Sequence, residues 1–139
     1  MSRPFEYTEH TADIGFTAYG ETLEELFSNA ATALLEIMVP VETVCERRQR
    51  EIAVRADALD ELLVRWLNEL LFLFETEGLL LRRHEIVFTA PASLESTAFG
   101  ETLDLSRHRV KTGIKAVTYH RLSVRQENGR WVGHVVLDL

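Results

Sequence analysis

The sequence is poor in the residues that cross-link or interrupt a chain. Among its 139 residues Cys45 is the only cysteine, so no internal disulfide can form, which favours a reducing compartment. Seven Gly and three Pro fall below the usual combined share of about 12%, as is typical of a chain rich in regular structure. There is no repeat, low-complexity segment or linker. We therefore expect a single domain over residues 1–139, because domains commonly have about 100–150 residues.

Long hydrophobic runs are also missing. Residues 1–6 contain no apolar core of a signal peptide. Elsewhere charged residues interrupt every apolar stretch well before the roughly 18 residues that a membrane span needs. These two absences predict a cytoplasmic protein without membrane contact.

The sequence has fewer basic than acidic residues. Fifteen Lys and Arg stand against 22 Asp and Glu, which gives a formal net charge of −7. A dedicated nucleic-acid-binding domain usually carries a basic patch, so we expect no stable direct binding of nucleic acid by this chain. The hydrophobic share of 46% excludes a disordered tail.

Two helices stand out in what the sequence does contain. The first follows a strand over residues 14–19, begins at a capping box formed by Thr22 and Glu25, and stops at Pro40. The second is predicted from an N-cap at Asp57 to about residue 76, with Gly78 just beyond its end. Its apolar residues cover most of the circumference, so we expect it at the centre of the core.

The rest of the chain has the pattern of β-strands. Strand-like segments cover residues 51–55, 79–88 and 94–103, and the sequence ends in two alternating runs, 114–126 and 130–139. Asn128-Gly129 between those runs is the strongest short-range signal of a β-hairpin. The prediction is therefore an α+β fold, with two helices packed on a largely antiparallel β-sheet and a C-terminal β-hairpin.

A two-residue hairpin loop also predicts a register. It sets Glu127 opposite Arg130, which brings Asp138 opposite Tyr119. In that register Lys115 lies about 13 Å along the strand from the position opposite Asp138, at about 3.3 Å per residue. Lys115 could then reach Asp138 only if a bulge or bend intervened.

Two aspartates are candidates for a cation site. Asp138 follows an apolar run and precedes Leu139, whose main-chain oxygens would add to a cluster of the hard ligands that Ca²⁺ or Mg²⁺ prefers. Asp13 lies at the start of the first clear strand. The residues alone favour a solvated strand end for Asp138 and a turn or cap role for Asp13. A cation site requires that the two converge in space.

Motifs of known catalytic sites are missing. The five histidines lack zinc-site spacing, and there is no Gly-x-Ser-x-Gly, P-loop or Gly-x-Gly-x-x-Gly. His120 and His134 are predicted to be packed or hydrogen-bonded in strands, and Arg107-His108 to form a surface turn. The acids Glu101 and Asp104 are too common a pairing here to indicate catalysis. The residues alone therefore predict no activity.

In several separate segments, which follow in order along nearly the whole chain, the sequence resembles the archease family. The segments are residues 9–15, 19–25, 29–31, 66–74, 76–78, 100–101, 107–108, 115–120 and 136–139. Several independent matches in the same order are far more specific than any one of them.

This resemblance implies a function and a site. Archeases are cofactor proteins of RtcB-type tRNA-splicing RNA ligases, so we expect this protein to promote guanylylation and multiple turnover of such a ligase and to widen its choice of nucleotide. The chain itself is then not an enzyme and has no catalytic residue. The family carries a divalent cation, here expected to be calcium, with magnesium or manganese as alternatives. The implied ligands are Asp13, Asp138 and a main-chain oxygen of Leu139, and the implied lysine for partner activation is Lys115.

Two other classes of function stay open at this point. One is a metal-dependent hydrolase that uses Asp13 and Asp138 around a cation, although the sequence offers no clear base or nucleophile. The other is a general chaperone or interaction module, which would bind through an exposed apolar patch and would not need Asp13.

Overall fold

A computed structural model describes residues 3–10 and 13–139, with only the backbone described at residues 9 and 10. It confirms the α+β class. In chain order the elements are β1 (Phe5–His10), β2 (Asp13–Gly20), α1 (Leu23–Met38), a short 3-10 helix (Val41–Thr43), β3 (Arg48–Arg55), α2 (Leu59–Glu77), β4 (Leu79–Ala90), β5 (Ser93–Thr102), β6 (Ala116–Glu127) and β7 (Arg130–Asp138). Within the described residues, neither helix is long and apolar enough to cross a membrane.

The strands form two antiparallel sheets. One has the order β1-β2-β7-β6 and the other the order β3-β5-β4. The irregular segment 103–115 carries the chain from the end of β5 in the second sheet to β6 in the first. The β-strands are therefore antiparallel as predicted, but they are divided between two sheets.

Helix α1 begins as its capping box predicts. The Thr22 hydroxyl accepts a hydrogen bond from the Glu25 amide at 3.1 Å, and the Glu25 carboxylate accepts one from the Glu21 amide at 3.2 Å. The helix ends at Met38, two residues before Pro40. Its buried face contacts β2 and β4, one strand from each sheet.

Helix α2 begins one residue later than predicted. The N-cap is Ala58 and not Asp57, because the first helical hydrogen bond runs from the Leu62 amide to the Ala58 carbonyl. The Asp60 carboxylate accepts from the Glu61 amide at 2.8 Å, so an acid inside the first turn does what a capping side chain would do. The predicted role of Gly78 is confirmed by its left-handed backbone, with φ at 67°.

The core lies between the two helices and the inner faces of both sheets. Helix α2 contacts β3 and β6, so each helix bridges the two sheets. Trp66 of α2 is fully buried, and its indole nitrogen donates to the Phe27 carbonyl of α1 at 3.0 Å. Gly100 in β5 allows close strand packing here, because a Cβ at this position would lie 1.8 Å from the Leu80 oxygen.

The C-terminal hairpin agrees with its predicted register only near the turn. Asn128 and Gly129 both have positive φ, at 54° and 79°, as a type I′ turn requires. Glu127 pairs with Arg130, as predicted.

For the part of β6 that precedes Ser123 in the chain, the predicted register is wrong. Thr118 pairs with Val136, not with Leu139, and Ala116 rather than Tyr119 pairs with Asp138. A β-bulge in β6 shifts the register by three residues between Thr118 and Ser123.

Candidate cation site and activation surface

The pairing of β2 with β7 brings the two predicted aspartates together. Asp13 is the first residue of β2, Asp138 is the last of β7, and the two are direct cross-strand partners. Opposing residues in an antiparallel pair have Cα atoms about 4.5–5.5 Å apart. The convergence that the sequence left open is therefore present in the fold.

The register shift in β6 adds the predicted lysine to this end of the sheet. The Lys115 amide donates to the Asp138 carbonyl at 2.8 Å, and the Lys115 side chain is exposed. The separation of about 13 Å along the strand, which a regular hairpin predicts between Lys115 and the position opposite Asp138, does not occur. The bulge shifts the register so that Ala116, the neighbour of Lys115, lies opposite Asp138. Leu139 follows Asp138 directly and is 36% exposed.

Asn68 of α2 fixes the strand beside Lys115. Its side-chain nitrogen donates to the Val117 carbonyl at 3.0 Å, and its side-chain oxygen accepts from the Val117 amide at 2.9 Å. Strand β6 is at the edge of its sheet, so the main-chain groups of Val117 have no neighbouring strand on that side. The Asn68 amide takes the place of that strand and holds the segment that carries Lys115.

The chemistry of the aspartate pair suits a hard cation. Like charges directly opposite each other on a sheet are destabilising, and a divalent cation between them removes that cost. Carboxylate and main-chain oxygens are the ligands that Ca²⁺ and Mg²⁺ take. Among the side chains that the structure describes, no group of three or more His, Cys, Asp or Glu is arranged to hold a metal ion. The cation site that the resemblance implies would therefore rest on two carboxylates and main-chain oxygens.

A buried carboxylate that the sequence did not indicate lies in β5. Glu101 is only 3% exposed, and its Oε2 accepts from the Cys45 amide at 2.7 Å. Arg107 forms a two-point contact with the same carboxylate through both terminal nitrogens. His108 Nε2 lies 2.9 Å from Glu101 Oε2, and its Nδ1 accepts from the Asp104 amide, so Nε2 is the nitrogen that donates.

This cluster corrects two expectations. Arg107-His108 does follow a turn, since the Arg107 amide donates to the Asp104 carbonyl, but His108 is 3% exposed and not on the surface. Glu101 is not an ordinary surface acid, because its buried carboxylate is the shared hydrogen-bond partner of Cys45, Arg107 and His108. The Arg107 guanidinium holds the pKa of Glu101 down at about 2, with the Cys45 amide and His108 adding to the effect.

The Glu101 cluster ties down the start of the segment that leads to Lys115. Further along that segment, the Lys111 amide donates to the Met38 carbonyl at 2.7 Å, and its ammonium pairs with Glu36 at 2.7 Å. The irregular segment 103–115 is thus held in place by hydrogen bonds and ion pairs at several points before Lys115. The sequence signal was available, because a strand Glu is followed within seven residues by Arg-His.

The two strand histidines differ from each other. His134 Nδ1 lies 3.0 Å from the Thr17 hydroxyl, which confirms the predicted hydrogen bond. The side chain of His120 is exposed in the bulge, so the prediction that it is packed is wrong.

Comparison with known proteins identifies a family. The model of the Archease protein family (MTH1598/TM1083) matches residues 5–139. The protein archease of Methanosarcina mazei is 39% identical over 143 residues, which cover 100% of this chain and 98% of that protein. The protein archease of Pyrococcus abyssi is 38% identical, over 97% of this chain and 98% of its own length.

Solved structures lead to the same family. The solution structure of Methanobacterium thermoautotrophicum protein 1598 matches with a TM-score of 0.83 and 37% identity, over 98% of this chain and 99% of that one. The crystal structure of a Thermotoga maritima archease, called a possible chaperone, has a TM-score of 0.65 over 100% of this chain and 98% of that one. At 24% identity it supports the fold alone. The chain belongs to the archease family.

Proposed function

We propose that this protein activates an RtcB-type tRNA-splicing RNA ligase by promoting its guanylylation and so its multiple turnover. The supporting observation is the pairing of Asp13 with Asp138 beside Lys115, in a chain that belongs to the archease family. These are the three side chains that the family resemblance singles out for cation binding and partner activation. They come from three different strand ends, and only the folded protein brings them together.

Each residue has a separate role in this proposal. Asp13, Asp138 and a main-chain oxygen of Leu139 would hold a divalent cation, calcium in the first instance and magnesium or manganese otherwise. When bound, such a cation neutralises phosphate charge as GMP is joined to a histidine of the ligase. Lys115 is exposed directly before the edge strand β6 and offers a mobile positive charge to a phosphate or a carboxylate of the partner.

The proposal keeps the covalent chemistry on the ligase. Net charge of −7 and an acidic pair at the sheet end suit docking beside a basic active site rather than binding RNA directly. The single cysteine, Cys45, is exposed and free, which suits the reducing cytoplasm where we infer that the protein acts.

A multiple-turnover guanylylation assay tests this proposal. The purified protein is mixed with the ligase of its own organism, GTP and a divalent metal, and ligase–GMP is counted over several rounds of RNA joining. We expect turnover beyond the first round only when the protein is present, and repetition with ATP tests the wider choice of nucleotide. Equal turnover with and without the protein would contradict the proposal.

Two variants test whether Lys115 itself is needed for stimulation in this assay. Lys115→Ala should lose stimulation while the protein stays folded, and Arg109→Ala, an exposed cation in the same irregular segment, should stimulate normally. If both variants stimulate as the wild type does, Lys115 has no role in activation.

A second candidate is the chaperone function suggested by the description of the Thermotoga maritima relative. A general chaperone would assist refolding of unrelated proteins and would be insensitive to Asp13→Ala, whereas the ligase activator should lose its effect. A metal-dependent hydrolase, the remaining alternative, would cleave a phosphoester substrate without any partner.

A further inference from the structure

The bulge in β6 consists of three residues inserted into an otherwise continuous strand. Thr118 pairs with Val136 and Ser123 with His134, so residues 119–122 face the single residue Val135. If Tyr119, His120 and Arg121 are set aside, Leu122 falls opposite Val135 and regular pairing continues on both sides. We call these three residues the 119–121 loop.

The side-chain alternation supports the same division. Val117, Leu122 and Val124 all pack against the core, while Thr118 and Ser123 occupy the positions between them. Leaving the loop out preserves this inward and outward alternation without a break. Pairing and packing of β6 therefore do not require the 119–121 loop.

The loop also has an unfavourable backbone conformation, and its side chains are exposed to solvent. Arg121 has φ at 53°, in the left-handed region that few residues other than Gly adopt. All three side chains are exposed, and Tyr119 is 58% exposed although it is a large aromatic residue. Bulges are over-represented at sheet edges such as β6 and next to active sites, where they redirect particular side chains.

The geometry points to the 119–121 loop as a contact surface for the partner protein, with Tyr119 and Arg121 as its anchors. This inference rests on the proposed function, because the partner is the ligase that Lys115 acts on. The loop lies in the edge strand β6, and Lys115 is the residue directly before that strand, four residues before Tyr119. A partner seated at the aspartate end of the sheet could contact both.

The chemistry of the loop favours a protein partner over RNA. Tyr and Arg are enriched among the interface residues that carry most binding energy. Arg121 and Lys115 bring two exposed cationic side chains to this edge, which match an acidic patch of the partner with a pocket for the Tyr119 ring. The net charge of −7 and the nearby aspartate pair act against a phosphate backbone at this surface.

Three variants test the inference. The first deletes Tyr119, His120 and Arg121, which leaves a regular strand. The second is Tyr119→Ala. The third is Arg121→Gly, which suits the positive φ and removes the whole arginine side chain. The matched control is Arg55→Gly, which removes an exposed arginine of β3 in the other sheet.

Affinity for the ligase and multiple-turnover guanylylation are measured for each protein. We expect the three loop variants to weaken ligase binding by about tenfold or more, as is typical of an anchor residue, and to stimulate correspondingly less. The Arg55→Gly control should match the wild type. Calcium affinity should be unchanged by the deletion, because the loop contributes no ligand.

The outcomes separate the inference from the function on which it rests. If the wild type stimulates the ligase and the loop variants bind and stimulate equally well, the inference is wrong and the proposed function stands. If the wild type neither binds nor stimulates the ligase, both fail. Binding of labelled tRNA fragments by the wild type but not by the deletion variant would assign the loop to RNA and overturn the inference. If the deletion variant does not fold, Tyr119→Ala and Arg121→Gly decide.

Discussion

Asp13 and Asp138 illustrate how a single cross-strand contact can be unfavourable for the fold and useful for a site. Each ends a strand, and each faces a like charge at a position where sheets usually place opposite or neutral partners. A ligand that uses the charge of both carboxylates would offset this cost. Binding of a divalent cation is the use that the family resemblance implies.

The first prediction concerns these two residues. Asp13→Asn and Asp138→Asn should each weaken calcium binding by at least about tenfold, because loss of even an outer-shell partner costs about 10–100-fold. Without calcium, either change should leave the free energy of unfolding equal or raise it by about 0.2–1 kcal/mol, since the like-charge contact is removed. Isothermal titration calorimetry and melting in the presence of a chelator measure the two effects.

The matched control is Glu95→Gln, which neutralises an exposed acid in β5 of the other sheet. It should leave calcium affinity unchanged. Wild-type affinity in both aspartate variants would exclude a cation site at this end of the sheet.

At the scale of elements, the edge strand β6 depends on helix α2 for its position. The two hydrogen bonds from Asn68 to Val117 replace a neighbouring strand next to Lys115. A helix side chain thus sets where a strand residue can act. The order of this strand end is separable from the stability of the core, because the clamp lies at the edge of the sheet.

The second prediction tests this clamp. Asn68→Ala should lower the free energy of unfolding by about 1–3 kcal/mol, since it leaves the amide and carbonyl of Val117 without their partner. Amide hydrogen exchange at Val117 and Lys115 should become faster, while exchange in β2 and β5 stays as in the wild type. Asn68→Asp, which keeps an acceptor but loses the donor, should give an intermediate effect. Unchanged exchange at Val117 would show that the clamp does not hold the strand.

Both helices and most of the strands could be predicted from the sequence, but strand β1, the register of β6 away from the hairpin turn and the division into two sheets could not. Helix α1, the end of α2 at Gly78 and the type I′ turn follow from local chemistry that acts within a few residues. The 119–121 loop could not be predicted, because Tyr119 and its neighbours have the residue types of a regular strand. Only the pairing with β7 shows that three residues are inserted.

The candidate site shows the same limit. Asp13, Asp138 and Lys115 could be named from the sequence through the family resemblance, while their convergence depends on the bulge. The Glu101 cluster was missed because its partners come from β5, the segment around Cys45 and the turn at Arg107. The spacing of Glu101 and Asp104 gives no indication of such burial, and the signal that was available is the Arg-His pair six and seven residues after Glu101.

At the scale of the whole molecule, one buried histidine couples stability to pH. His84 of β4 is 8% exposed and packs edge-on against Trp66, with ring centroids 4.9 Å apart. Burial lowers the pKa of His84 to about 4 from an ordinary value of 6.5. The unfolded chain therefore binds this proton more readily than the folded protein does.

The third prediction follows from that difference. The neutral His84 contributes stability that is complete above pH 6.5 and is lost as the pH falls towards 4, by about 3 kcal/mol in total. Urea unfolding between pH 7 and 4 should show this decline, and His84→Leu should flatten it. Below about pH 4.5 the unfolded chain takes up a proton at Glu101, whose pKa in the folded protein is about 2, and this adds a second loss that His84→Leu does not remove. An equal decline in wild type and variant between pH 6.5 and 4.5 would assign the effect elsewhere.

The 119–121 loop has one more consequence, which concerns self-association. An edge strand exposes main-chain donors and acceptors that can template pairing with a second chain, the first step towards aggregates and fibrils. In β6 the looped-out residues break the ladder in its middle, and the left-handed backbone of Arg121 turns the chain away from a flat edge. No second strand can pair along the whole length of β6 without removing the loop. The loop can therefore present an exposed aromatic side chain on the edge strand β6 and at the same time interrupt strand-to-strand pairing along that edge.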